Sequence, residues 1–160
     1  MSYAAQVGGM VANLKAKGFD GSGGELSLIE IGNGLDHLDN LGSLYLQGKT
    51  IHDRAVNDEI IHVMGSMARL ADARAGSPVA PPTGPAPDKL YRQLVQIGSK
   101  IQELEDQATR LIGSKDTADQ AKGNARMKQA QTMFEALKNF LDAFGKMAES
   151  APRSAGPHQP

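Results

Sequence analysis

The sequence predicts an all-α protein: a helical bundle with a C-terminal antiparallel, coiled-coil-like helical hairpin and a Pro-rich linker between its halves. Three observations predict it. Apolar residues recur at spacings of three and four through most of the chain, as on one face of a helix. The strongest such run, Leu90, Leu94, Ile97, Ile101, Leu104, Ala108 and Leu111, holds three heptads without a break. Between the two patterned halves, residues 76–87 contain five prolines, which exclude a helix and favour an extended connector.

The elements follow in order. Residues 1–24 read as a short helix and a flexible link: Tyr3, Val7, Met10 and Leu14 form one stripe, Gly8 and Gly9 weaken it, and Gly21-Ser-Gly-Gly24 is a linker. Residues 25–76 form an N-terminal helical unit. Its first helix carries Leu28, Ile31, Leu35, Leu38, Leu41 and Tyr45. Ile29 and Ile31 leave a short strand open at its start, where Gly32 and Gly34 weaken a helix. Gln47-Gly48-Lys49 breaks the chain, and a second helix carries Val56, Ile60, Val63, Met67 and Leu70 to about Ala75. The linker spans 77–87. Residues 88–148 form the hairpin, opened by Asp88 as N-cap and turned at Gly113-Ser-Lys-Asp116. Its second helix carries Ala130, Met133, Leu137, Phe140, Phe144 and Met147, with Phe134 and Leu141 widening the face. Residues 149–160 have no apolar stripe to bury and are expected to be disordered.

Composition narrows the function. The 160 residues include no Cys and no Trp, and aromatics make up only 4%. A disulfide, a thiol nucleophile and a thiolate metal site are therefore excluded, and aliphatic and seven Met side chains must do the packing. Such a core is often completed by a partner or by further copies of the chain. The 17 basic residues balance 18 acidic ones without a Lys/Arg block, so nucleic acid is not an expected partner. Up to Ala75 there are 6 basic and 9 acidic residues, and after Gly76 there are 11 and 9. That small asymmetry favours packing between halves or subunits. No apolar run reaches the roughly 20 residues of a membrane span, and Val7-Gly-Gly-Met-Val11 lacks the basic flank of a secretory signal. Both a cytoplasmic location and secretion without a cleaved signal remain open.

Histidine is the one seat of unusual chemistry. His37, His52 and His62 lie near Asp36, Asp39, Asp53, Asp58 and Glu59. Glu59 and His62 have the i, i+3 spacing of di-iron helical sites, which require a second such pair and two more carboxylates. His52-Asp53 matches the dipeptide of HD-type phosphohydrolases, for which His37 and Asp72 would be the further ligands. The plain alternatives are a solvated helix face and an N-cap at Asp53. No G-x-S-x-G elbow or P-loop occurs, and no cofactor is expected.

The stretch 88–148, above all Asn124-Ala-Arg-Met-Lys-Gln-Ala-Gln-Thr-Met-Phe-Glu-Ala-Leu-Lys-Asn-Phe-Leu-Asp-Ala-Phe144, resembles the secreted needle and filament subunits of type III secretion systems. The resemblance implies a helical hairpin that polymerises through its terminal helix. Two features depart from that family: a hairpin turn without Pro, and the Pro-rich segment 77–87. The expected function is thus a non-enzymatic helical assembly protein whose partner is itself or a partner helix. Its expected interface is Leu90, Leu94, Ile97, Ile101, Leu104, Leu111, Met133, Leu137, Phe140, Phe144 and Met147. The alternatives are a cytoplasmic adaptor or chaperone-like module holding a partner helix, and a metal-dependent enzyme centred on His37, His52 and His62.

Overall fold

The structure is a computed structural model that describes residues 2–16, 25–74 and 87–150, with side chains over 2–16, 30–70 and 89–142. These residues form helices α1 (Tyr3–Ala16), α2 (Glu25–Leu46), α3 (Arg54–Arg74), α4 (Pro87–Ile112) and α5 (Thr117–Ser150), with no strand among them. The segment in which Ile29 and Ile31 left a strand open is helical. The flexible link and most of the Pro-rich linker lie outside the described residues.

Local chemistry explains where the helices begin and end. Ser2 caps α1 by accepting the Ala5 N–H on its Oγ at 3.1 Å. α2 ends before Gly48, whose φ of +91° is the left-handed conformation that closes a helix and that only glycine adopts freely. α4 starts at Pro87, whose missing N–H is harmless in a first turn. Asp88 therefore sits inside that turn and is not its cap. The α4–α5 turn is held by its own side chains. Asp116 Oδ1 caps α5 by accepting the Ala118 N–H at 2.9 Å, and Gln120 Nε2 donates to the Ser114 carbonyl at 2.8 Å. α5 runs on to Ser150, so the first two residues of the expected tail are helical, and 151–160 lie outside the description.

Two hairpins, α2–α3 and α4–α5, pack on one another with α2 against α4 and α3 against α5, while α1 lies on α4. Pairings along the helices set their directions. Arg69 Nε donates to Glu30 Oε1 at 2.7 Å, and His37 meets Glu59, so α2 and α3 are antiparallel. Gln93 reaches Asp36, and Lys100 reaches Asp39 and Ser43, so α2 and α4 are parallel. Ala4 N–H donates to Gln102 while Val7 abuts Gly98, so α1 runs against α4.

One core serves both halves of the sequence. Ile31, Leu35, Leu38 and Leu41 of α2 join Val56, Val63 and Leu70 of α3 and the seam residues of α4 and α5. At roughly 1.5–3 kcal/mol for each fully buried large aliphatic side chain, the halves are mutually dependent for stability. Glycine makes the close approaches possible. A Cβ on Gly98 would stand 2.9 Å from Val7, and one on Gly34 would stand 2.2 Å from the Phe140 ring. The glycines of α1 are different, because a Cβ on Gly8 or Gly9 would meet nothing within 4 Å. Gly9→Ala is therefore expected to stabilise the protein by up to about 1 kcal/mol through helix propensity. An unchanged or lower urea midpoint for that variant would count against a helical α1 at Gly9.

Candidate functional site

The seam expected to form an interface is occupied within the chain. Leu90, Leu94, Ile97, Ile101, Leu104, Met133, Leu137 and Phe140 are each at most 1% exposed. Leu111 is half-buried near the hairpin turn, and the side chains of Phe144 and Met147 lie outside the described residues. The inward stripe of α4 meets α5 and α2, and its adjoining face, with Tyr91 and Gly98, is covered by α1. In this arrangement the eight buried residues offer no surface to a second molecule. A 3,4 spacing says that a helix has a partner face, and leaves open whether that face belongs to the same chain.

The histidines are only partly brought together. α2 and α3 place His37 and His62 side by side, their rings stacked with centroids 4.5 Å apart and planes 18° from parallel. His37 Nδ1 lies 2.6 Å from Glu59 Oε2, and His62 Nδ1 lies 2.6 Å from the Asp58 carbonyl oxygen. A carboxylate and a carbonyl can only accept, so each Nδ1 is the donor. Glu59 and His62 share a helix as their i, i+3 spacing requires, yet the Glu59 carboxylate is directed across to His37. No group of three or more His, Asp or Glu side chains suited to a metal occurs among the described residues.

His52 stands apart from this pair, exposed in the α2–α3 turn, where its N–H donates to Thr50 Oγ1 at 3.3 Å. Asp53 occupies the position before α3, and its carboxylate accepts the Thr50 N–H at 2.7 Å instead of facing the amides of α3. Asp53 thus folds the turn back on itself. The Asp72 side chain lies outside the described residues.

A cleft of about 390 Å³ opens where α4 and α5 meet their turn, bordered by Arg110, Ser114, Asp119, Lys122 and Arg126. Arg126 Nη1 donates at 2.7 Å to the Tyr45 carbonyl near the end of α2, and Ser114 Oγ donates to Asp119 at 3.1 Å. The first bond ties α5 to the end of α2, and the second braces the α4–α5 turn. Two phenols are perturbed: burial raises the pKa of Tyr45, and burial with the Glu105 and Glu135 carboxylates raises that of Tyr3. Both sit at helix–helix contacts, Tyr3 against the Phe134 ring at 4.9 Å.

What the periodicity reading missed is a second apolar stripe on α3. Val56, Val63 and Leu70 point inward, while Ile61 and Met64 are each 64% exposed, with exposed Asn57 and Ala68 continuing their line. The signal was present as Ile61, Met64 and Ala68, spaced 3, 4 and offset by one residue from the core register. Elsewhere the exposed large apolar residues are scattered: Ile51 in a turn, Val95 on α4 and Ile112 at its end. No helix is long and apolar enough to cross a membrane among the described residues. No protein-family model matches the chain, and no curated protein or solved structure is significantly similar to it.

Proposed function

We propose that this chain is a non-enzymatic helical interaction protein that assembles with further copies of itself. The observation that supports the reading is the outward apolar stripe of α3 on a bundle whose other apolar stripes are internally satisfied among the residues with described side chains. Exposed Ile61 and Met64, one turn apart, form an apolar spot that a second helix would bury. The specific form we propose is a structural component of a bacterial secretion apparatus, on the strength of the resemblance in 88–148. Polymerisation through α4 and α5 would first have to remove α1 and α2 from them. Uncovering several large aliphatic side chains at roughly 1.5–3 kcal/mol each makes that route costly, so the reading places the first contact on the surface that is already exposed.

Light scattering after size-exclusion chromatography, over a hundredfold range of concentration, tests the proposal. The expected result is a mass that rises with concentration toward a dimer or larger species. A constant monomer mass across the range would overturn self-assembly. Capture of one specific partner by a monomeric chain would then favour the adaptor reading.

A further inference from the structure

We propose that the outward face of α3 pairs antiparallel with the same face of a second copy of this chain; the inference rests on the self-assembly reading and assigns its surface. Three features converge on this occupant. The stripe of Ile61, Met64 and Ala68 is exposed and carries no charge. Along one flank of it stand Asp58 and Arg69, three turns apart by the 3.6-residue repeat. An acid at one end and a base at the other make the flank self-complementary under a two-fold axis, the symmetry of an isologous dimer.

The register follows from the charges. Antiparallel pairing about a point between Val63 and Met64 sets each Asp58 opposite Arg69 of the second copy, twice by symmetry. It brings the two Met64 side chains together next to the axis, with each Ile61 directed toward the end of the stripe that carries Ala68 on the other copy. A parallel two-fold pairing would carry the two flanks to opposite sides of the contact, leaving Asp58 and Arg69 unpaired with each other.

Asp58 is placed for this role, and Arg69 only in part, because Glu30 already pairs with its guanidinium. Asp58 is exposed, and its carboxylate has no ion-pair partner among the described residues. Arg69 uses Nε for Glu30 and Nη2 for Ser66 Oγ at 3.4 Å. Its guanidinium lies back over Gly65, with Nη1 3.3 Å from where a Cβ on that glycine would stand. A larger residue at Gly65 would push this group off the flank. The contact spans only about three turns of one helix, so the pairing is weak and exchanging.

A single cysteine tests the contact directly, since the chain contains none. Met64→Cys in the full chain is expected to form a disulfide-linked dimer under mild oxidation, whereas Val95→Cys, at an exposed site on α4, remains monomeric. Asp58→Arg, which sets two guanidinium groups against each other twice, is expected to weaken the association of the otherwise unaltered chain at least tenfold. Glu103→Arg, the same charge change at an exposed site on α4, is expected to leave it unchanged. If the unaltered chain associates while Met64→Cys fails to cross-link, or Asp58→Arg associates as before, this surface is wrong and self-assembly through another face stands. If the unaltered chain stays monomeric and neither cysteine cross-links, the assembly reading and this surface fall together.

Discussion

Ile101→Asp is expected to unfold the protein or to lower its melting temperature steeply. Ile101 is fully buried near the middle of α4, in the common core with α2 and α5. The substitution removes the largest part of an aliphatic side chain and places a carboxyl group where no donor is available. Burying an unpaired polar group costs about 1–3 kcal/mol even when it remains neutral, and more when ionised. With the lost packing, the total exceeds about 4 kcal/mol, against a whole-domain stability of about 5–15 kcal/mol. Far-UV circular dichroism should show loss of helix or a steep fall in melting temperature. Val95→Asp is the matched control, because Val95 is on the same helix and 51% exposed; its stability should change by no more than about 0.5 kcal/mol. A folded Ile101→Asp with an unchanged melt would mean that α4 does not face the core as described.

Phe140→Ala carries the second large effect, and its partner Gly34 makes it diagnostic. The Phe140 side chain is fully buried, and its ring occupies the space that a side chain at position 34 would need. Truncating the ring should cost about 3–5 kcal/mol through lost transfer energy and the cavity left behind. Gly34→Ala alone should be destabilising, because a Cβ 2.2 Å from Cζ forces the ring aside, at about 1–3 kcal/mol. That cost exceeds the gain of up to about 1 kcal/mol from helix propensity. In the Phe140→Ala background the obstruction is gone, and Gly34→Ala should turn neutral or stabilising. Urea denaturation of the four proteins measures this change of sign as a coupling energy. Equal costs of Gly34→Ala in both backgrounds would show that Phe140 does not require the glycine. The same experiment separates core from interface, since a stability loss of this size places Phe140 inside the chain.

Much of the secondary structure was legible because heptad and 3,4 spacings depend only on helix geometry. The stripes Ile31–Tyr45, Val56–Leu70 and Leu90–Ala108 all fall on the inward faces of α2, α3 and α4. Capping was less legible. Asp88 and Asp53 both stand where a cap is common, yet the first is inside its helix and the second bonds to a preceding turn. Side-chain hydrogen bonds of that kind depend on chain path over several residues, which residue type does not specify. Glycine was read through propensity alone, as weakening α2 at Gly34, when its absent Cβ is what admits Phe140 from α5.

The candidate sites divide in the same way. Glu59 and His62 were joined by their spacing, but the approach of His37 from α2 required the α2–α3 hairpin to close. The seam of α4 and α5 was recognisable as an apolar face, while its covering by α1 and α2 was not. Periodicity belongs to one helix at a time, and it determined the helices and their inward stripes, while the lack of Cys excluded thiol chemistry. Which stripe meets which, and so which apolar residues stay outside, depends on the shapes and lengths of five helices packing at once. That competition for burial is a property of the assembled bundle. It used the seam of α4 and α5 internally and left Ile61 and Met64 of α3 facing outward.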